Sequence, residues 1–431
     1  MKKGMERMNR FAKVLLLLVL SLSLALGSIP ALAETPKTTL VIWQWADQAF
    51  EPMAELFEAA HPDVDVQLVT VETTDYIAKL QIALTAGTDM PDIGALEIGW
   101  RGRLYDLDCW YDLEKEFGFD SSVLFDYAKT LGTNSKGEVV SIQWDCDVAC
   151  MAYKKDLAEQ YFGTSDPEEL YAMMPDWDAF LAKGKEVKEA SGGSVYMLTG
   201  LGDLKEVLFN QDQTPYIVDG KAELTTAFSG MFERMTQYRD AGIVDVLKPW
   251  SPPWFASFAL DNHIFNPCAT WFVKAAIDPN DPNGDGRWGL MKAPGGAYTW
   301  GGTALAVCKG SKNPQLAWEF IKTALLTQEG WNISKDPVGY FTTVKQAYEE
   351  PEYTSWITRV TGDQDIGKLF FRDLQPEGIK IRPITSWDHI ITETFSLVME
   401  ELMADEGMTA EDALARMIEE VSNIATDIEV K

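Results

Sequence analysis

Apolar and polar positions along the chain fall into short alternating blocks from Thr38 onward. The run TTLVIWQW (Thr38–Trp45) is β-branched and apolar and predicts a first strand. In EPMAELFEAAHP, Met53, Leu56, Phe57 and Ala60 recur at helical spacing, with Pro52 read as a first-turn proline. VDVQLVTV predicts a second strand. A helix carrying Ile77, Leu80, Ala83 and Leu84, capped by Asp75, then turns through Asp89–Asp92 into a third strand, Ile93–Leu96. Strand and helix in this alternation predict a parallel, doubly wound beginning. Ligands of such sheets dock where strands end, and Glu97 and Trp100 follow the third strand.

The same mixture continues. VVSIQWDCDVACMAYKKDL predicts one long extended run feeding a helix, WDAFLAKGKEVKEA a helix, PWSPPWFASFAL a loop, and RWGLMKAPGG a strand closed by a turn. NPQLAWEFIKTALL predicts a helix with Asn313 as cap and Pro314 in its first turn. The last helix starts at Thr409, with Asp412 at the capping-box position and Ala413, Leu414, Met417, Ile418, Val421 and Ile424 facing inward. With 431 residues and no short repeat or low-complexity linker, the chain suits a large two-lobed α/β body.

The N-terminus changes the picture of where this body works. Lys2, Lys3, Arg7, Arg10 and Lys13 precede an apolar stretch, Val14–Leu26, and then Ala31-Leu32-Ala33 before Glu34. This predicts an export signal, residues 1–33, cleaved after Ala33. The stretch is short for a membrane span, and no cysteine near the cut offers a lipid anchor. An exported extracellular or periplasmic protein is expected. The formal charge of −29 argues against nucleic acid and anionic membrane as partners, both being polyanions. The odd number of cysteines leaves at least one thiol free, and the separated His61, His263 and His389 give no zinc spacing. No metal and no cofactor are expected. DPNGDG (Asp281–Gly286) imitates half of a calcium loop, but its twelfth position is Lys292 where a glutamate is needed.

Several segments, in order, resemble one family: FEAAHPDVDVQLV, DYIAKLQIALTAGTDMPDI, VACMAYKKDLAEQYFG, and WGLMKAPGG followed by WGGTALAVCKGSKNPQLAWEFIKTALLTQEG. The chain is similar from Thr38 to about Ile424 to the extracellular solute-binding proteins of ABC importers, family 1, the group that includes the maltose-binding proteins. The resemblance implies a type II periplasmic-binding-protein-like fold of two α/β lobes, each a sheet flanked by helices, with the ligand in the cleft between them. The chain is then expected to cross between lobes near residues 145–150, near Trp300-Gly301-Gly302 and near Gly339-Tyr340. That divides it into 34–148 plus 302–339 as the N-terminal lobe and 149–301 plus 340–431 as the C-terminal lobe. The implied partners are a small carbohydrate, an oligosaccharide, and the permease subunits of an importer, with the protein itself a monomer and not an enzyme.

Sugars present C–H faces to indoles and hydroxyls to carboxylates and amides, so tryptophan and acid near strand ends define the candidate site. Trp45 and Asp47 follow the first strand, with Trp43 weaker; Glu97 and Trp100 follow the third. Strand alternation places Asp145 and Asp147 on one face of the extended run, and two acids there are costly to bury unpaired. By resemblance Asp147 occupies the place of a sugar-contacting acid on the cleft floor, with Asp145 the second option. Trp271, in NPCATWFVK, and Trp387, in RPITSWDHI, match cleft aromatics of the family. Trp254 is either a ligand contact or a loop staple, and Trp300-Gly301 sets an aromatic ring where backbone can approach a ligand. Asp388 is expected near a helix cap and Arg382 in a pair with a surface acid. A cationic solute in the same cleft is the alternative cargo. A secreted glycosidase using Asp145 and Asp147 is the rival activity, though parallel side chains on one strand face poorly suit attack from opposite sides of a bond.

Overall fold

The computed structural model describes residues 36–375, 379 and 381–431; the expected leader lies outside them. The chain opens with β1 (Thr38–Gln44), α1 (Asp47–Ala60), β2 (Val64–Thr70), α2 (Thr73–Ala86), β3 (Ile93–Glu97) and α3 (Ile98–Tyr105). Strand β1 pairs in parallel with both β2 and β3, giving the doubly wound start. Next come β4 (Ile142–Gln143), β5 (Val148–Lys154), α4 (Leu201–Gln211), β6 (Ile217–Val218), β7 (Lys221–Ala222), α5 (Leu224–Ala241), β8 (Phe265–Ala269), β9 (Trp288–Met291), β10 (Tyr298–Thr299) and β11 (Thr303–Val307). The chain ends with α6 (Pro314–Leu326), α7 (Gln328–Val338), α8 (Asp388–Ala404), α9 (Ala410–Ile424) and β12 (Glu429–Val430).

The strands form two main sheets, each the centre of one α/β lobe. The first has the order β2-β1-β3-β11-β4; the second runs β10-β5-β8, with β9 also paired to β5. Strand β5 is buried along its whole length, as its near-continuous apolar sequence VACMAYK requires. In the antiparallel β5–β8 pair Pro267 stands opposite Met151. Lys154 donates to the Ile264 carbonyl and Thr270 to that of Val148, so bonded pairs fall two residues apart on either side and Pro267 takes a position where no ladder N–H is needed.

Local expectations are corrected in three places. Helix α1 starts at Asp47, so Pro52 lies inside it and not in its first turn. The N-cap of α2 is Glu72, which leaves Asp75 in the first turn, where a carboxylate suits the positive end of the helix. Asn313 holds the N-cap position of α6 without a side-chain cap bond; the Ser311 hydroxyl accepts from its N–H instead. Thr409 and Asp412 do form the reciprocal capping box.

The extended run around Asp145 is also interrupted. Residues 144–147 leave the ladder between β4 and β5, and Asp147 has a left-handed φ of 53°. This interruption carries the chain from the first sheet to the second, and 300–302 carries it back. The two crossings run side by side: Trp300 donates to the Asp147 carbonyl at 2.9 Å and Trp144 to that of Thr303 at 2.8 Å. Asp145 and Asp147 therefore do not share a strand face. All five cysteines are buried and free, and Cys150 stands directly opposite Cys268.

Candidate functional site

A cavity of about 300 Å³ opens between the lobes. Its first wall is the β3–α3 junction: Glu97, Ile98 and Gly99. The opposite wall is the face of α4 carrying Lys205, Glu206, Phe209 and Asn210, with Tyr216 beyond it. The second crossing contributes Thr299, Trp300 and Gly301, and the start of α8 adds Asp388, Thr392 and Glu393. Each wall has a local cause. β3 ends where Glu97 turns to cap α3, accepting the Gly99 N–H at 2.6 Å. On α4, one stripe at helical spacing faces the cavity while Leu204, Val207 and Leu208 face the core.

Glu97 is half-buried, and its carboxyl is pushed up to about 7. Burial is the main cause; the Gly99 N–H and Arg101 oppose it, and the like charge of Glu206 across the cavity reinforces it. Arg101 itself is fully buried. It donates to the Gln143 amide oxygen at 2.6 Å and to the carbonyls of Leu96 at 3.0 Å and Gly302 at 2.7 Å. Gln143 passes its own amide hydrogen to Asp147 at 2.7 Å. Arg101, Gln143 and Asp147 thus form a buried relay under the crossings. Asp147 is held well above the ordinary carboxylate range by burial and by neighbouring Asp145.

Both oxygens of Asp145 are committed: one accepts the Phe341 N–H at 2.8 Å, the other the Thr270 hydroxyl at 3.0 Å. Burial raises its carboxyl to about 7. Asp145 and Asp147 stand inside the crossings and are not among the residues lining this cavity. The reason is the break in the strand, which turns both carboxylates toward backbone and side-chain donors.

The tryptophans divide. Trp300 and Gly301 line the cavity. Trp271, half-buried, donates its indole N–H to the Trp300 carbonyl at 2.9 Å and lies 5.1 Å from the Trp300 ring. Trp45 lines a second recess of about 420 Å³ with Gln48, Lys274 and Tyr340, drawn again from both lobes. Trp387 lines a third, of about 230 Å³, with Tyr105, Asn134 and Ile217. Trp43 and Trp100 are packed in the interior of the first lobe, where Trp100 stacks on Tyr76 at 4.9 Å. Trp254 is 1% exposed among Phe255, Phe258 and Phe272, a staple rather than a contact surface. The side chain of Asp47 lies outside the described residues.

Among the described residues Arg382 pairs with no surface acid: its guanidinium stands over the Phe209 ring at 4.2 Å and donates to the Phe209 and Asp212 carbonyls. Asp388 starts α8, accepts the Thr385 N–H at 3.0 Å and receives the Tyr216 hydroxyl at 2.6 Å. In the calcium-like turn the place of a cation is taken by Arg359, which donates to Asp278 and Asp285 and to the carbonyl of Asp281. Among the described residues no group of three or more His, Cys, Asp or Glu side chains is arranged to hold a metal.

The α4 wall and Arg101 escaped the sequence reading. The signal for α4 was present: Glu206 with Asn210, and Lys205 with Phe209, sit four apart in a helix that is otherwise apolar-faced. Chemically the cavity offers carboxylates, amides, hydroxyls, the cations Lys205 and Arg382, and one indole. It is built to bind.

Comparison with known proteins agrees. Residues 52–361 match the model of a family described as bacterial extracellular solute-binding protein. A lactose-binding protein of Rhizobium radiobacter is 31% identical over 192 residues, spanning 42% of this chain and 44% of that relative. The match therefore covers less than half of the relative's length. The crystal structure of an extracellular solute-binding protein family 1 superposes with a TM-score of 0.79 at 21% identity, covering 90% of this chain and all of that one. The ABC transporter associated binding protein of B. animalis subsp. lactis, in complex with beta-1,6-galactobiose, gives 0.73 at 17% identity, covering 92% of this chain and all of that one. At those identities the two structures establish the two-lobed fold.

Proposed function

We propose, on the premise that this chain belongs to the bacterial extracellular solute-binding proteins, that it captures a carbohydrate outside the cytoplasm and delivers it to an ABC importer. The observation that carries this reading is the interlobe cavity, where Glu97 of one lobe faces Glu206 and Asn210 of the other beside the Trp300 ring. Acids and amides accept and donate to sugar hydroxyls, and an indole covers the C–H face of a pyranose. The sugar cargoes named for the similar proteins, lactose and a galactobiose, point the same way.

The finer assignments belong to the same proposal. Glu97, Trp300 and Gly301 contact the ligand with the α4 stripe. Trp45 and Trp271 serve adjoining parts of the cleft, and Trp387 a third. Asp147 acts through the Arg101–Gln143 relay. The lobes divide as 34–148 with 302–339 and 149–301 with 340–431, supported by the division of strands between the two sheets. An export leader ends at Ala33, and a monomer suffices, since one chain supplies both walls.

Titration with a panel of mono- and oligosaccharides, followed by intrinsic tryptophan fluorescence, tests the reading. A saturable change is expected with at least one glycan; silence toward the whole panel would overturn it. The cavity also favours one second reading. Glu97, Glu206, Asp388 and Glu393 outnumber Lys205 and Arg382 around it, which suits an amino sugar or another cationic solute. Salt-sensitive binding of such a solute, with neutral glycans inert, would select it. The glycosidase reading fails on Asp145, whose oxygens both serve the crossings.

A further inference from the structure

Trp250 is the one aromatic ring among the exposed large hydrophobic side chains of the described residues, at 51% exposed. Its backbone is unusual too. It has φ +67°, in the left-handed region that a bulky residue enters only when its surroundings impose it. The surroundings here are stiff. Pro249 precedes it and packs against Gly202 of α4, the helix that walls the cavity. Ser251 folds back on the Lys248 carbonyl through both its N–H and its hydroxyl, at 3.2 and 2.7 Å, and Pro252-Pro253 begin the next short helix.

The indole so held lies on an aromatic pile that leads inward. Its plane is 16° from that of Trp271 at 6.0 Å; buried Trp254 is 5.2 Å away and Trp300, on the cavity wall, 6.4 Å. A flat, rigid, apolar ring kept in water at the expense of backbone comfort, and continuous with the wall of a sugar cleft, has the properties of a stacking platform. We propose that Trp250 is the outer subsite of the cleft and that the cargo is an oligosaccharide long enough to lay a terminal sugar on it. This rests on the carbohydrate reading above and extends it to chain length. Because the loop is fixed before binding, little side-chain freedom is lost when the sugar arrives.

Calorimetric titration of the full chain with two glycan ladders, maltose to maltopentaose and galactobiose to galactopentaose, separates the possibilities. In the ladder that binds, wild-type affinity should rise with length. Trp250→Ala should weaken the longest glycan by about tenfold while leaving the disaccharide within about twofold, and Trp250→Tyr should restore most of the loss. An equal loss at every length, or none, would overturn the proposal. So would a change in sedimentation on Trp250→Ala, which would assign the ring to protein contact. Failure of wild type to bind either ladder, together with silence toward the whole glycan panel above, removes the carbohydrate reading itself, an outcome distinct from a length-independent response.

Discussion

Asp145 accepts the backbone N–H of Phe341 across 196 positions of sequence, fastening the first crossing to the segment that returns after α7. The carboxyl is buried and raised to about 7, so the folded protein keeps a proton that the unfolded chain releases near the ordinary carboxylate value of about 4. Its stabilising contribution is complete below that unfolded value and is lost as pH rises through about 7. Glu97, at about 7, and Asp203, at about 6, act in the same direction. The melting temperature should therefore fall between about pH 4 and about pH 7. Asp145→Asn, which imitates the protonated acid, should flatten that fall in scanning calorimetry. Asp145→Ala leaves two buried donors unpaired and should destabilise by ~2–4 kcal/mol.

Gly102 of α3 meets the Thr385 carbonyl, just before α8, so closely that an added Cβ would stand 2.0 Å from that oxygen. Helix α8, just beyond Thr385, packs on α3. Gly102→Ala should hold these surfaces apart and bias the molecule toward separated lobes. Ligand affinity should drop by about tenfold, because the cost falls on the state the ligand selects. Small-angle scattering should show a larger radius of gyration in saturating ligand than wild type gives. Unchanged compaction would mean that Thr385 yields.

Glu97 caps α3 with one oxygen and faces the cavity. A hydroxyl donated by a sugar favours the ionised carboxylate, so affinity should strengthen as pH rises through about 7. Glu97→Gln should bind more weakly at high pH and lose that dependence. Helix stability should change by less than about 1 kcal/mol, since Gln can still accept the Gly99 N–H. A pH profile that survives the substitution would place the titrating group elsewhere.

Gly302 combines φ +136° with a Cβ position 2.3 Å from the Gln143 amide nitrogen, the middle of the Arg101 relay. Gly302→Ala should cost about 2–4 kcal/mol in urea denaturation. Gly296, with φ +105° and nothing within 4 Å of its Cβ position, is the control for backbone alone, and Gly296→Ala should cost about 1–2 kcal/mol. Equal losses would show that the relay contributes nothing.

The frame of the first lobe was legible because β1, β2 and β3 carry β-branched runs separated by periodic helices, and no long-range partner overrides that pattern. The site was legible in part. Glu97 and Trp300 stand at element ends, where the chain must turn and side chains face space. Asp145 and Asp147 misled because the break between β4 and β5 is set by Thr303, Phe341 and Trp300, all distant in sequence. Within PWSPPW, local pattern could not say which tryptophan is buried; the answer depends on Phe258 and Phe272, brought in by the second sheet. The α4 stripe went unread because its polar positions look like an ordinary solvent face until the other lobe covers them.

The sealed sulfurs give the molecule a gauge of its own opening. Cys109 and Cys308 pack together beside the first sheet, Cys150 and Cys268 stand on β5 and β8 of the second, and Cys146 lies in the crossing between the sheets. An alkylating dye meets none of them until the surrounding packing lets go. Mapping which sulfur is labelled first would time the breathing of each half separately, without any engineered cysteine.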